Sequence, residues 1–388
     1  MANIFIKDTF RAAVEASSGG LVTVLYSIDG KPGYYRIIPK FNVEDIDVGL
    51  GTGIHPAFIS AGGVEKSEIF VGQYAATIVD SKALSLPGRI PNYANYDNAV
   101  AYCKNLGAGF HLMTAFEYAA IALWCQKNGY LPTGNTDYGR SYGNKHQVGQ
   151  CVDGRAPGIL TNLDATTRNG YCLTGSGPVE WRHDKTMSGI ADIVGNAWQW
   201  AAGVRLKNGE LNFLDVGLGG VVNNDAAHPD ANHAAASTQW KGMNASGALV
   251  ASNYAGATTL KYDATTAGSA NSTNYGNPIL KSAALVNRNG PVDNSTVVVS
   301  PGVYPAHATG NYKDVTASGV SAPNVLKQAT LFPNNAAALT DNMGVRNYGE
   351  RMLMVGGSNN NRADAGLFAR AFIYARTNHA LVRPVFIP

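Results

Sequence analysis

The chain has 388 residues, a formal charge of +3 and 44 glycines, a length that favours more than one folding unit and supplies enough apolar surface for a real core. Only 15% of the residues are charged, and no block of Lys or Arg builds the positive potential that nucleic-acid phosphates or an anionic bilayer surface would require, so nucleic acid is excluded as a partner. Lys7, Asp8, Arg11 and Glu15 interrupt residues 1–20, which therefore lack the apolar core of a signal peptide, and the densest apolar run, residues 118–125, is too short for membrane insertion.

Along the chain, residues 21–27, the pair Asp29-Gly30 and residues 34–39 predict a hairpin, and residues 1–60 are expected to form a small β-rich N-terminal module. Ile69, Val71 and Ile78 suit a buried strand that opens the main unit, residues 61–388. Asn95 is placed to cap a helix that carries Ala99, Tyr102, Cys103 and Leu106 on one face and stops at Gly107. A second helix is announced by the capping box Thr114…Glu117, an inner stripe of Tyr118, Ile121, Ala122 and Cys125, and Gly129 beyond its end.

After Leu131 the composition turns to Gly, Asn, Tyr and Thr, which predicts loops packed on a core. Trp198 and Trp200 fall on one side of an extended segment and are expected to anchor that core, and Asn208-Gly209 predicts a tight hairpin. Residues 219–342 are rich in Ala, Asn, Gly, Ser and Thr with few large apolar anchors, so a loop-rich insertion is expected there. Strand character returns at 351–355 and 380–386. The four cysteines, Cys103, Cys125, Cys151 and Cys172, make no CxxC pair and are expected to be reduced, structural thiols.

Three segments carry a resemblance: residues 112–118 (LMTAFEY) at the second helix, residues 195–200 (GNAWQW), and Gly356-Gly357-Ser358 followed by Val382-Arg383-Pro384. Over roughly residues 65–388 the chain resembles the formylglycine-generating-enzyme (sulfatase-modifying factor) type of C-type-lectin fold, and within it the variable proteins of diversity-generating retroelements. The resemblance implies an α+β, C-type-lectin-like fold with two helices and a small antiparallel sheet, and a variable region over 356–383 rewritten by adenine-directed mutagenesis. It also implies exchangeable, outward-facing ligand-binding positions at Asn359, Asn360, Arg362, Ala369, Ala371, Ile373, Tyr374, His379, Ala380 and Leu381. Phe372, Tyr374 and Arg376 are natural contact types. Trp198, Trp200, Gly356, Gly357, Leu367, Phe368 and Arg383 would form the fixed scaffold beneath. Two positions depart from the family pattern: Asn359 stands where a Trp usually follows GGS, and the closing Gly-Phe-Arg is Leu381-Val382-Arg383.

By that resemblance the chain is a non-enzymatic binder of a host cell-surface receptor, protein or glycan, carried on a phage virion tail beside other tail components, with homo-oligomer formation open. The alternatives are a relative of the formylglycine-generating oxidases and a non-variable tail-fibre protein. The oxidase reading is disfavoured because its cysteine pair falls late in the chain, whereas the last cysteine here is Cys172. Calcium-dependent sugar binding is disfavoured because the Glu-Pro-Asn, Gln-Pro-Asp and Trp-Asn-Asp tripeptides do not occur; no cofactor is expected, and loop Asp and Asn oxygens leave room only for a structural calcium ion. His183-Asp184 is a weak base-and-carboxylate candidate, and His55, His111 and His379 are scattered with no nucleophile motif near them.

Overall fold

The computed structural model describes residues 8–159, 170–219, 222–264, 276–285, 307–335 and 339–388. It is α+β, with few helices and several sheets. A first helix, α1 (Thr9–Ser17), is capped by Asp8, whose carboxylate accepts from the Arg11 amide at 2.9 Å. None of its residues is buried, which is why no apolar periodicity announces it. The predicted hairpin follows as β1 (Val22–Tyr26) and β2 (Pro32–Pro39).

β3 (Glu68–Gly72) pairs with β2 and buries Ile69 and Val71 completely. The next elements are α2 (Tyr96–Lys104), β4 (Phe110–Leu112) and α3 (Ala115–Lys127). Both predicted caps form: Asn95 accepts from the Asn98 amide, and Thr114 and Glu117 make the reciprocal capping box. Glu117 is itself fully buried, and its carboxylate also takes His111 Nε2 at 2.8 Å and Asn224 Nδ2 at 2.7 Å, so the start of α3 is wired into the core.

The larger sheet begins with the hairpin β5 (Gln199–Lys207) and β6 (Glu210–Leu214), whose turn places Asn208 and Gly209 at positive φ. It continues with β7 (Lys261–Ala264), β8 (Pro278–Lys281), β9 (His307–Asn311), β10 (Asn342–Arg346), β11 (Glu350–Val355) and β12 (Arg370–Tyr374). Along its main path the order is β9-β10-β12-β11-β5-β6-β7-β8. The chain closes with β13 (Pro384–Phe386), which inserts between β3 and β4 to give a smaller sheet ordered β1-β2-β3-β13-β4.

Two boundaries expected from the sequence are not breaks in the structure. Within the expected module 1–60, the described residues 8–60 do not stand apart: β2 shares a sheet with the C-terminal strand, and Ile38, Ala57 and Phe58 belong to the same apolar cluster as Tyr118, Phe372 and Val385. Burial of Ile38 and of Phe58 each contributes about 1.5–3 kcal/mol, so this stretch is held by the body it was expected to stand apart from. Residues 219–342 are more than loops, since β7, β8 and β9 extend the large sheet and Met243, Leu260, Tyr262, Leu280, Tyr312, Leu326 and Leu331 enter the main core. One large anchor per short strand, diluted by Ala, Asn and Thr, hides such strands from a compositional reading. Parts of that stretch, 265–275 and 286–306, lie outside the described residues.

Candidate functional site

The site is built around the chain's tail, where β11 ends in Gly356-Gly357. Both glycines have positive φ, +88° and +83°, and a methyl on either would collide: with Ile193 O at 2.7 Å from position 356, and with Ala365 Cβ at 2.5 Å from position 357. Only glycine reconciles that backbone with so close an approach. The turn that follows is pinned by main-chain bonds to two other segments. Asn359 N donates to Asn196 O, Tyr138 N donates to Asn359 O at 2.7 Å, and Arg362 N donates to Thr136 O at 2.9 Å.

Asn196 is the junction. It sits at φ +60°, which Asn tolerates better than most residues, directly after Gly195 at +69°. Its amide Oδ1 accepts from Cys172 N at 2.8 Å and Asn135 Nδ2 at 3.0 Å, and its Nδ2 donates to Cys172 O. The Gly-Asn of the 195–200 segment therefore ties together the tail turn, the 133–149 loop and the segment at Cys172. Trp200, four residues on, is fully buried and donates to Ala94 O, while Trp198 is half-buried with its ring 6.4 Å from that of Tyr374.

Beneath the turn lie Leu367 and Phe368, both buried, and Arg370, whose guanidinium spans the carbonyls of Leu367, Ala369 and Thr330 and lies over the ring of Tyr118. Asp341 accepts from Phe368 N at 2.6 Å and fills the place a side chain on Gly366 would need. Burial raises the Asp341 carboxyl above the usual carboxylate range, partly offset by that amide. Arg383 is fully buried, donates to Gln199 Oε1 and the carbonyls of Gly72, Ala191 and Asp192, and is pulled by burial down to about 10.

The ten positions expected to face outward divide. Asn360, Arg362 and His379 are exposed, and Ile373 and Tyr374 are half-buried. Asn359, Ala369, Ala371, Ala380 and Leu381 are buried, between 0% and 3% exposed, which corrects the outward direction expected of them. The cause is distant in sequence: β12 and the short bridge at 380–381 lie inside the large sheet, where Ala371 and Ala380 pack with Trp200 and Met354, and Leu381 with Ala75 and Ala197. Phe372 is likewise fully buried. Arg376 is drawn from its expected contact role into ion pairs with Glu350, at 3.0 Å, and Asp97, and lies over the Tyr96 ring.

Sequence reasoning missed the partner of the tail turn, the loop at 131–147. Thr136 N and Asp137 N both donate to Arg140 O, which folds that loop back toward the tail. Arg362 stands where the two meet, 61% exposed, its guanidinium 5.9 Å from the centre of the Tyr142 ring and 4.0 Å from Asp137. A cavity of about 300 Å³ opens on one side of it, walled by Thr133, Tyr142, Val194, Asp341 and Leu367. Another of about 260 Å³ opens on the other side, walled by Asp137, Tyr138, Arg140 and Lys145. A larger recess of about 620 Å³ near Gly51, Ala245 and Pro323 carries no titratable side chain. The sequence signal for the loop was its Tyr-rich, Gly-rich composition, which announces order only once its packing partner is known.

Among the described residues no group of three or more His, Cys, Asp or Glu is arranged to hold a metal ion, and no helix is long and apolar enough to cross a membrane. His183 and Asp184 do not form an oriented pair: His183 Nδ1 accepts from Ile190 N at 2.8 Å, Asp184 Oδ1 is 3.9 Å away, and Asp184 instead pairs with Arg36 at 3.2 Å. Burial pushes His183 down to about 4. A scan against protein-family models finds no match, and a search of curated proteins finds no relative.

Proposed function

We propose that this chain is a ligand-binding protein of C-type-lectin-like fold, akin to the variable proteins of diversity-generating retroelements, that docks a host-surface receptor from a phage tail. The observation that carries the reading is the contrast within the tail turn. Its backbone is fixed by hydrogen bonds to Asn196, Thr136 and Tyr138, while the side chains of Asn360, Arg362, Ala363 and Asp364 project into solvent. Rigid backbone with free side chains is what a surface needs if its residues are exchanged without loss of fold.

Arg362 and its two flanking cavities form the centre of the binding face, with Tyr142 as its aromatic wall. Arg140, Lys145 and Arg362 face one carboxylate, Asp137, so the group that fits there is anionic, a carboxylate or sulfate on a receptor protein or glycan. Display of several copies on one particle, or as a homo-oligomer among other tail components, would turn weak single contacts into firm attachment.

Sequencing the DNA beside the gene tests this. The expected result is a near-identical repeat that differs only at adenines, with differences falling on codons for Asn360, Arg362, Ile373, Tyr374 and His379. A second reading, a non-variable tail-fibre protein, is favoured by the five buried positions; absence of the repeat would select it over the first.

A further inference from the structure

Cys151 and Cys172, expected to be inert thiols, lie directly opposite each other on antiparallel chain segments behind the candidate site. The flanking main-chain bonds, Val152 N to Tyr171 O and Leu173 N to Gln150 O, make them a pair without mutual backbone hydrogen bonds. That register brings side chains closest, with Cα atoms about 4.5 Å apart, inside the range a disulfide spans. The two side chains share an apolar nest with Trp181. Both sulfurs are packed closely against glycine backbone: a methyl on Gly149 would lie 2.7 Å from Cys172 Sγ, and one on Gly139 would strike Cys151 Sγ.

We propose that Cys151 and Cys172 are a disulfide-forming pair that staples the ligand-site loop in oxidising surroundings, a claim that does not depend on the proposed receptor. The interaction between the two thiols lowers the Cys151 thiol and, together with burial, raises Cys172. Cys151, at 6% exposure, is the more accessible of the two, Cys172 being fully buried. Its thiolate attacks a low-molecular-weight disulfide such as oxidised glutathione, forming a mixed disulfide and releasing one thiolate that takes up a proton. Cys172 then loses its proton and attacks Cys151 Sγ, releasing the second thiol. Two protein thiols are oxidised and one small disulfide is reduced. The staple acts on the site because Cys172 N and O are both held by Asn196, which also receives Asn359 of the tail turn.

The test incubates the full chain with oxidised glutathione and digests it without reductant. The expected product is one linked peptide pair containing Cys151 and Cys172, while Cys103 and Cys125, both fully buried, are labelled by alkylation only after denaturation. The Cys172→Ser variant, treated alike, should stop at glutathione on Cys151. Free Cys151 and Cys172 after oxidation of the folded chain would overturn the proposal, as would a glutathione adduct in the unaltered chain that Cys172 never resolves. Because the first arm uses the unaltered protein, a folding failure of the variant does not blunt the test.

Discussion

In the turn at 359–365, Asn360, Arg362, Ala363 and Asp364 stand in solvent, whereas in the next seven residues, 366–372, every residue is buried. The turn is polar-to-small and the next stretch carries Leu367, Phe368 and Phe372, yet both lie in the tail that the sequence marks as variable. They differ in what satisfies the backbone. The turn is held by a few hydrogen bonds from segments beside it, which leaves its outer face open; residues 370–372 of β12 lie between β10 and β11, with Phe372 packed into one apolar cluster and Ala371 into another, which closes both faces. Sequence variability can therefore be borne by the first at little cost and by the second only with loss of fold.

Substitutions in the closed frame should break the comparison hardest. Arg383→Ala removes the donor to four buried acceptors, of which only Asp192 O keeps a side-chain donor, Gln199 Nε2, and should cost about 3–5 kcal/mol; Phe372→Ala should cost a similar amount by opening a cavity, both measured by denaturant unfolding. Acid supplies the next effect. Burial pushes His55 and His183 down to about 4, and His233 to about 3, so each is neutral in the fold and titrates near 6.5 once unfolded. The unfolded chain binds these protons first. Stability is thus full above about pH 6.5 and falls as pH drops toward 4, by up to about 1.4 kcal/mol per histidine and pH unit. Melting temperatures from pH 7 to 5 check the slope, and a flat profile would contradict the buried neutral state.

Ala369→Leu should overpack a site with no exposure and cost about 1–3 kcal/mol. The smallest effects belong to the open turns, where Asn360→Ser, Ala363→Ser and His379→Ala should each change stability by less than about 0.5 kcal/mol. Arg362→Gly sharpens the contrast further. Arg362 holds φ +53°, a conformation that costs a side-chain-bearing residue about 1–2 kcal/mol. Glycine there should keep or raise the melting temperature while removing the cation at the centre of the binding face.

The two helices after Asn95 and Thr114 and the hairpins were legible because their signals are local. Asn95, the Thr114…Glu117 box and Asn208-Gly209 each act within a few residues, and all three form as expected. The scaffold half of the site was legible for a similar reason: Gly356, Gly357, Trp200 and Arg383 are chosen by tight geometry or full burial. What stayed hidden was set by distant pairing. Nothing near residue 370 says that β12 will lie between β10 and β11, so Ala369 and Ala371 passed for exchangeable surface. Nothing near residue 22 says that its hairpin will share a sheet with residues 384–386, and the 131–147 loop gained meaning only from the tail laid against it.

The most direct measurement is saturation substitution of residues 356–383, scored by resistance of the folded chain to proteolysis. Broad tolerance at Asn360, Arg362, Ala363, Asp364 and His379, beside sharp intolerance at Gly356, Gly357, Gly366, residues 367–372 and residues 381–383, is the predicted result. Equal sensitivity across the turn and the strand would contradict it, since the tail would then have no face whose side chains are free to change.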